Sequence, residues 1–219
     1  MKPIRWGIAG LGNIAHKFAS DLALVSDCFL QAVASSDDKR GKKFLTQFAA
    51  KDYYSNYSDL FSDPNVDIIY IASLHTLHKS LSIEAMKQGK AVLCEKPMAM
   101  NQIEVREMIK TAKENNVFLM EALWTRFNPA FEQVNRWVKE NKIGPLRYIN
   151  STFSFNALDK GVDSRIFNPK KGGGSLLDIG IYPIFLAYHF LGFPTDIKAS
   201  AVLTKEKVDE QIGFIFSYR

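Results

Sequence analysis

The sequence feature that most constrains the fold is a glycine motif near the amino terminus, between a predicted strand and a predicted helix. Residues 10–15 read GLGNIA, the pattern G-x-G-x-x-A, after the apolar run 4–9 and before an amphipathic stretch, 13–25. At such a turn the first glycine permits the tight bend, the second lets backbone approach a pyrophosphate, and the alanine lets helix and strand pack closely. The helix start then offers N–H groups and a positive dipole end to phosphates. The motif predicts a dinucleotide site that includes Gly10, Gly12, Asn13 and Ile14.

Beyond the motif, short apolar runs alternate with amphipathic stretches, which is the pattern of βαβ units around a parallel sheet. Asn101 with Glu104 resembles a capping box for the last of these helices. We therefore expect residues 1–121 to form a doubly wound parallel sheet of the Rossmann type. The predicted strands are 4–9, 29–35, 66–72, 91–94 and 117–120, and the predicted helices are 13–25, 38–50, 78–88 and 101–112.

After residue 121 the pattern changes, because the last two strand-like runs, 196–203 and 211–218, follow one another without a helix between them. These runs predict a separate α+β domain over 122–219 with a mostly antiparallel, open sheet. The last run ends in mid-pattern, so we expect the domain to be incomplete. The predicted elements are a helix at 129–140, a strand at 146–156, a helix at 175–191 that Pro183 kinks or divides, and strands at 196–203 and 211–218.

The composition is that of an ordinary globular chain of 219 residues with a formal net charge of +5. Its basic residues are scattered, which argues against nucleic acid as a partner. Cys28 and Cys94 lie far apart and form no metal-binding pattern, so we expect no metal and a reducing, cytoplasmic location. We find neither a signal peptide nor the roughly 18 uncharged apolar residues of a membrane span.

The end of the second predicted strand selects the dinucleotide. An acidic side chain there accepts hydrogen bonds from the ribose 2′-hydroxyl and repels a 2′-phosphate. Here Ser35 and Ser36 come first, followed by Asp37 and by basic residues that include Arg40. Hydroxyls with nearby cations favour NADP, while Asp37 leaves NAD possible.

Two further segments carry groups suited to proton transfer. Lys96, in the sequence Cys94-Glu95-Lys96-Pro97, follows the predicted strand 91–94 in the region where open α/β sheets bind ligands. Asp178 and Tyr182 follow a glycine run and stand four apart, so they share one helix face. Because a tyrosine has an ordinary pKa near 10, it needs a neighbouring cation such as Lys96 to act as a base near neutrality.

Other candidates are weaker. The segment 121–129 places aromatic, acidic and basic groups at the domain junction, where either a ligand or interdomain packing explains them. His75 and His78 are three apart without a third ligand nearby, which disfavours a metal site.

In this order, the motifs resemble the glucose-fructose oxidoreductase / inositol dehydrogenase / MocA-like family of NAD(P)-dependent oxidoreductases. Glu95-Lys96-Pro97 after the glycine motif is the most specific mark, and EALWTRFNP at 121–129 with Asp178-x-Gly180-x-Tyr182 resembles its dihydrodiol and sugar dehydrogenase branch. The resemblance implies a dimer or larger homo-oligomer built through the second sheet. It implies Lys96 and Tyr182 as the catalytic pair, with Asp178 orienting the substrate.

The resemblance also implies ligand contacts for further residues. The expected coenzyme contacts are Gly10, Gly12, Asn13, Ile14, Ser35, Ser36, Arg40, Ser73, Leu74, His75, His78, Glu95, Lys96, Trp124 and Arg126. The expected substrate contacts are Lys96, Trp124, Phe153, Asp178 and Tyr182.

Departures from the family pattern refine these expectations. Tyr182 stands where many members have His, which favours the diol and aldose enzymes over inositol dehydrogenases. Ser36 stands where NADP-preferring members often have Arg, and Leu74 replaces a common Pro. Family members also continue through further sheet strands beyond the position of Arg219.

The leading hypothesis is an NADP-dependent dehydrogenase that acts on a secondary alcohol of an aldose or vicinal diol. Tyr182 serves as general acid/base and is assisted by Lys96. The alternatives are a dinucleotide-binding sensor without catalysis and an inactive fragment of a family enzyme.

Overall fold

The computed structural model describes residues 2–161 and 163–219. The chain divides into two compact units, the first ending at Ala122 and the second beginning at Leu123. Each unit has its own sheet.

The first unit is a parallel sheet of six strands in the order β3-β2-β1-β4-β5-β6, which confirms the predicted Rossmann fold. All five strand pairings are parallel. The strands are β1 (Ile4–Ala9), β2 (Cys28–Ala34), β3 (Asp52–Tyr54), β4 (Ile68–Ile71), β5 (Ala91–Glu95) and β6 (Leu119–Ala122). The helices are α1 (Asn13–Leu22), α2 (Asp38–Gln47), α3 (Tyr57–Ser62), α4 (His78–Lys87) and α5 (Gln102–Glu114).

Apolar side chains are buried on both faces of this sheet. Successive residues of β4 point to opposite faces, so that Ile69 and Ile71 join one buried cluster while Tyr70 joins the other. Ile8 on β1 and Val33 on β2 are also fully buried. Because both faces are covered, the central strands read in sequence as near-continuous apolar runs.

Two elements of the first unit were absent from the sequence prediction. β3 spans three residues, too few to show a period, and α3 spans six. Other boundaries moved by a few residues: α1 ends at Leu22 rather than at residue 25. The capping box was predicted correctly, since the Asn101 side chain accepts a hydrogen bond from the Glu104 N–H at 3.0 Å.

The second unit contains two helices and a two-stranded antiparallel sheet, together with several short helical turns. The predicted strand at 146–156 is wrong, because this segment forms no regular structure. Its alternating sequence suits a half-buried strand, but a strand also requires a hydrogen-bonded neighbour, which periodicity does not supply. The regular elements are α6 (Pro129–Lys139), α7 (Ile181–Leu191), β7 (Asp196–Leu203) and β8 (Asp209–Ser217).

The predicted helix over 175–191 is divided, as Pro183 required. A π-helical segment, Leu176–Gly180, precedes α7, and Pro183 lies in the first turn of α7. Gly180 and Ile181 both have backbone in the α region, so the division is a change from the π- to the α-helical hydrogen-bonding pattern and not a break in the helix.

By length and composition, the helical stretch Pro169–Leu191 is also able to cross a membrane, which differs from the expectation of no membrane span. A core helix of a domain passes the same test. In this stretch Asp178 is ion-paired with Arg165, and the ring of Phe185 packs against Phe131 of α6. These contacts are those of a helix packed within its own unit.

Candidate functional site

The glycine turn joins β1 to α1 at the carboxyl edge of the first sheet. Gly10 has a φ of +93°, and a Cβ there would lie 2.8 Å from the Ala72 carbonyl oxygen, so only glycine fits. Gly12 caps α1 without a side chain, and a Cβ at Gly12 would meet nothing within 4 Å. The helix start at Asn13 therefore faces open space, as the backbone cradle of a phosphate group requires.

The end of β2 carries the residues expected to select the coenzyme. Ser35 is buried, and its hydroxyl accepts a hydrogen bond from the Asp37 N–H at 3.1 Å. Asp37 caps α2 by accepting from the Arg40 N–H at 2.9 Å, and its carboxylate lies 3.5 Å from the Arg40 guanidinium. The Asp37 carboxylate is thus held by its own helix, while Ser36 and Arg40 are exposed.

The second carboxylate of this loop is held by β3. The Tyr53 hydroxyl lies 2.7 Å from Asp38 and 3.0 Å from the Ser35 carbonyl oxygen. The hydrogen bond from Tyr53 lowers the pKa of Asp38, helped by the charge of Lys42. Desolvation, followed by Asp38, raises the pKa of Tyr53 to about 12.

Residues predicted to contact the coenzyme also follow β4, the strand beside β1. Ser73 and Leu74 precede a turn of 3₁₀ helix that contains His75, and His78 begins α4. His78 is fully buried, with Nδ1 2.8 Å from the Pro97 carbonyl oxygen and Nε2 3.3 Å from that of Ser73. In the part of the chain that the structure describes, no cluster of three or more His, Cys, Asp or Glu forms a candidate metal site.

Lys96 follows β5, the next strand of the sheet, and its neighbours include a partly buried carboxylate. The Glu95 carboxylate accepts hydrogen bonds from the Tyr70 hydroxyl at 2.5 Å and from the Lys96 N–H at 3.2 Å. Burial raises the pKa of Glu95, while Tyr70 and the charge of Lys96 oppose that shift. Burial also raises the pKa of Tyr70, which keeps its hydroxyl a donor.

A second partly buried carboxylate, on Glu121 of β6, holds the loop after Lys96. It accepts a hydrogen bond from the Met98 N–H at 2.7 Å. Burial raises the pKa of Glu121, against the effects of that bond and of the Lys96 charge.

Sequence reasoning assigned no role to Tyr70, and it placed Glu121 only within the candidate segment 121–129, without a contact to the loop after Lys96. The available signal was a polar group inside or at the end of a predicted strand beside the lysine motif. The pairing of β5 with β6 aligns Cys94 with Glu121 and so brings the Glu121 carboxylate close to the loop after Lys96.

In the first unit, the sheet order brings the predicted coenzyme residues to a single edge. β2, β1, β4 and β5 are consecutive neighbours, and the parallel strands all end on that side. The residues gathered there are Gly10, Gly12, Asn13, Ile14, Ser35, Ser36, Arg40, Ser73, Leu74, His75, His78, Glu95 and Lys96.

The second unit holds the other predicted residues. Asp178 lies in the π-helical segment and is 8% exposed, and both of its carboxylate oxygens are 3.1 Å from Nη2 of Arg165. Arg165 was missed by sequence reasoning, because it lies in an irregular segment where no periodicity relates it to Asp178. The ion pair places a guanidinium beside the carboxylate that was predicted to orient substrate.

A cavity of about 680 Å³ in the second unit is lined by Phe153 and Asp178, two of the predicted substrate residues. The ring of Tyr182 packs against Phe153 with ring centroids 5.2 Å apart. Phe153, Asp178 and Tyr182 therefore lie together within this unit. Trp124 and Arg126 lie in a 3₁₀ turn, Trp124–Phe127, and both are exposed.

Two family models match the chain. Residues 4–123 match the NAD-binding Rossmann-fold domain of the GFO/IDH/MocA oxidoreductase family, and residues 131–219 match a C-terminal domain of the same family. Among known proteins, a trans-1,2-dihydrobenzene-1,2-diol dehydrogenase from Mus musculus is 38% identical over 219 residues. The alignment covers 98% of this chain and 65% of that enzyme, so the chain spans about two thirds of the relative's length.

Solved structures give the same result. A 3-ketoreductase from Actinomadura kijaniata, crystallised with NADP and TDP-benzene, aligns over 95% of this chain and 64% of its own, with a TM-score of 0.81 and 29% identity. An aldose-aldose oxidoreductase from Caulobacter crescentus, complexed with glycerol, aligns over 97% of this chain and 67% of its own, with a TM-score of 0.84 and 26% identity. From its motifs, its fold and the match to both family domains, the chain belongs to the GFO/IDH/MocA family of oxidoreductases.

Proposed function

We propose that the protein is an NADP-dependent oxidoreductase that transfers hydride between the nicotinamide and a secondary alcohol of an aldose or vicinal diol. The observation that carries the proposal is the position of Lys96, which follows β5 on the same sheet edge as the open glycine turn. The relatives support the substrate class, since they include a dihydrodiol dehydrogenase and an aldose oxidoreductase.

The chain's own residues fit a dinucleotide at this edge. Gly12 leaves the start of α1 open, so its N–H groups and positive dipole end can receive the pyrophosphate. When bound, the coenzyme supplies the hydride chemistry, and the protein supplies position and electrostatics.

The preference for NADP is argued from the loop after β2. The carboxylates of Asp37 and Asp38 accept hydrogen bonds from the Arg40 N–H and the Tyr53 hydroxyl, respectively. A carboxylate held in this way is less available to the ribose 2′-hydroxyl that NAD presents. Ser36 and Arg40 are exposed beside it, and they offer a hydroxyl and a cation to a 2′-phosphate.

We assign the proton transfer to Tyr182 and Lys96. During oxidation the Tyr182 phenolate, which the Lys96 ammonium stabilises, takes the proton of the substrate hydroxyl and becomes the neutral phenol. Asp178 orients the substrate, and its ion pair with Arg165 fixes the carboxylate for that task. Phe153 gives the sugar or diol an apolar surface beside Tyr182.

We also propose that the chain forms a homodimer or larger oligomer through the second sheet. Every residue of β7 is exposed, and Ile197 and Ile215 present apolar side chains to solvent on β7 and β8. Exposed apolar strand surface of this kind favours association with another chain. Sedimentation of the whole chain over a concentration series tests this, and a monomer at all concentrations would reject it.

The test of function has two stages. Thermal-shift titration of the whole chain with NAD and NADP should show a larger stabilisation by NADP, because a ligand that binds only the folded state raises its stability. A panel of aldoses and vicinal diols with the better coenzyme should then show reduction of the coenzyme.

Lys96→Ala should abolish that turnover while coenzyme binding persists. Full turnover by Lys96→Ala would reject the assigned mechanism. Coenzyme binding without turnover across the panel would instead favour the non-catalytic sensor.

A further inference from the structure

The peptide group that joins Pro97 to Met98, directly after Lys96, is held at one end by the buried side chain of His78 and at the other by the partly buried side chain of Glu121. Its carbonyl oxygen lies 2.8 Å from Nδ1 of His78, and its N–H donates to the Glu121 carboxylate at 2.7 Å. His78 begins α4 and Glu121 lies on β6, so two separate elements fix a single peptide group.

His78 also connects this peptide to a second loop. Its Nε2 lies 3.3 Å from the Ser73 carbonyl oxygen, at the carboxyl end of β4. Both neighbours are carbonyl oxygens, which only accept, so a neutral imidazole donates to one of them and an imidazolium to both. The shorter distance, to Pro97, assigns the proton of the neutral form to Nδ1.

The cost of leaving these groups without partners explains why the arrangement is rigid. His78 is 0% exposed, and no water can replace a lost donor at low cost in such a place. The backbone N–H of Lys96 is held as well, by the carboxylate of Glu95 at 3.2 Å. The chain on either side of the Lys96 side chain is therefore anchored to buried groups.

We propose that His78 and Glu121 are positioning residues that set the place of Lys96 by fixing the Pro97–Met98 peptide from its two ends. The inference rests on the proposed function, in which Lys96 assists proton transfer. His78 was expected from sequence to contact the coenzyme. The geometry points instead to an indirect role, in which His78 acts through the backbone that carries the lysine.

Two substitutions at His78 separate the two contacts. An asparagine amide lies near the position of Nδ1, so His78→Asn retains a donor to Pro97. A glutamine amide lies near Nε2, so His78→Gln retains a donor to Ser73 and loses the one to Pro97. We expect His78→Gln to lower kcat by about 10- to 100-fold, the loss typical of a group displaced by about 1 Å, while the KM for coenzyme changes little. His78→Asn should recover most of that loss.

The matched pair at Glu121 tests the other end of the peptide. Glu121→Gln keeps an acceptor for the Met98 N–H, whereas Glu121→Leu removes it. We expect the leucine variant to reproduce the kinetic defect of His78→Gln and the glutamine variant to retain most activity. Met86→Ala controls for stability, because Met86 is a buried residue of α4 outside the clamp that His78 and Glu121 form on the Pro97–Met98 peptide. This variant should lower Tm without lowering kcat at a temperature where the protein stays folded.

Equal losses of kcat in His78→Asn and His78→Gln, in proportion to their losses of Tm, would show a merely structural role and overturn the proposal. If the parent chain turns over no substrate, the proposed function fails, and the clamp is judged by competitive acetylation followed by mass spectrometry. His78→Gln must then change the labelling rate of Lys96 relative to the other lysines, and His78→Asn must not. Unchanged labelling in both variants would also overturn the proposal.

Discussion

In the first unit the last three residues of β1 and of β4 are buried, whereas in the second unit every residue of β7 is exposed. The parallel sheet has buried apolar clusters on both faces, which contain side chains such as Phe61 and Phe44. The antiparallel pair β7–β8 presents Ile197 and Ile215 to solvent.

The difference shows what fixes the positions of the predicted site residues in each unit. The first unit holds its coenzyme-side residues at the ends of strands that a closed core fixes, so their placement follows from the sheet. The second unit holds most of the proposed substrate residues on irregular or short helical segments, where single contacts such as Arg165 with Asp178 fix them, and it holds Tyr182 in the first turn of α7. A comparison of substitutions in the two units tests this division of roles.

The largest expected effect separates chemistry from coenzyme binding. Tyr182→Phe removes the hydroxyl that we propose transfers the proton, in the second unit, and we expect kcat to fall by about 10²- to 10⁴-fold. The dissociation constant of the coenzyme should stay near the parental value, because its predicted phosphate contacts lie in the first unit. Steady-state kinetics and fluorescence titration measure the two quantities. A parallel loss of binding and turnover would contradict the division.

The next effect contrasts the two cores. Phe61→Ala empties a fully buried position in the first unit and should lower the free energy of unfolding by about 3–5 kcal/mol. Ile197→Ala alters a side chain on β7 that is 58% exposed within one chain, and it should change this free energy by less than about 0.5 kcal/mol at a dilution where the protein is monomeric. Urea unfolding followed by circular dichroism measures both. A loss for Ile197→Ala at that dilution as large as that for Phe61→Ala would contradict the difference between the two units, whereas a loss that appears only at higher protein concentration is the result that the proposed oligomer predicts.

A smaller effect separates the two glycines of the turn. Gly10→Ala places a Cβ 2.8 Å from the Ala72 carbonyl oxygen at a φ of +93°, so it should destabilise the protein by about 1–3 kcal/mol. Gly12→Ala meets no protein atom within 4 Å and should leave Tm nearly unchanged. Its methyl group would instead crowd the bound pyrophosphate, with an expected loss of about tenfold in coenzyme affinity, the equivalent of about 1.4 kcal/mol. Unchanged coenzyme affinity in Gly12→Ala would contradict the prediction that this turn binds the pyrophosphate.

The smallest effect is a dependence of stability on pH. Burial raises the pKa of Glu121 in the folded protein above the value in the unfolded chain. The stability linked to this group is therefore fully present below the unfolded pKa, near 4.5, and is lost as the pH rises through the folded pKa. Glu121→Gln should remove that loss, which a series of Tm measurements across this pH range detects. The exposed Glu114→Gln serves as the control, and an identical pH profile in the parent and Glu121→Gln would refute the assignment.

The sequence predicted most of the first unit because its apolar periodicity, its turn glycines and its cap residues all indicated the same elements. β1 was placed correctly at both ends, and the cap at Asn101 formed as its residue types required. The wrong or missing strand predictions have a common cause, because the periodicity of a segment does not show which strand it will pair with. The segment 146–156 alternates like a strand and forms none, and β3 is too short to be seen without its neighbour β2.

The same division applies to the candidate site. The motifs identified Lys96, Gly10 and Gly12 from residue type and spacing alone. They gave no role to Tyr70 and did not predict the contact of Glu121 with the loop after Lys96, because the hydrogen bonds of both side chains depend on which strands lie side by side. Nor did they identify Arg165, which reaches Asp178 through an irregular segment.

By itself, the sequence determined the family, the parallel sheet and the glycine turn, because these follow from local rules of strand, turn and helix. Only the tertiary structure decided how the loop after Lys96 is held. His78 and Glu121 come from elements that precede and follow that loop in the chain, and the sheet order brings both to the Pro97–Met98 peptide. Their buried donor and acceptor find partners only once the core has excluded water, which no pattern along the chain records.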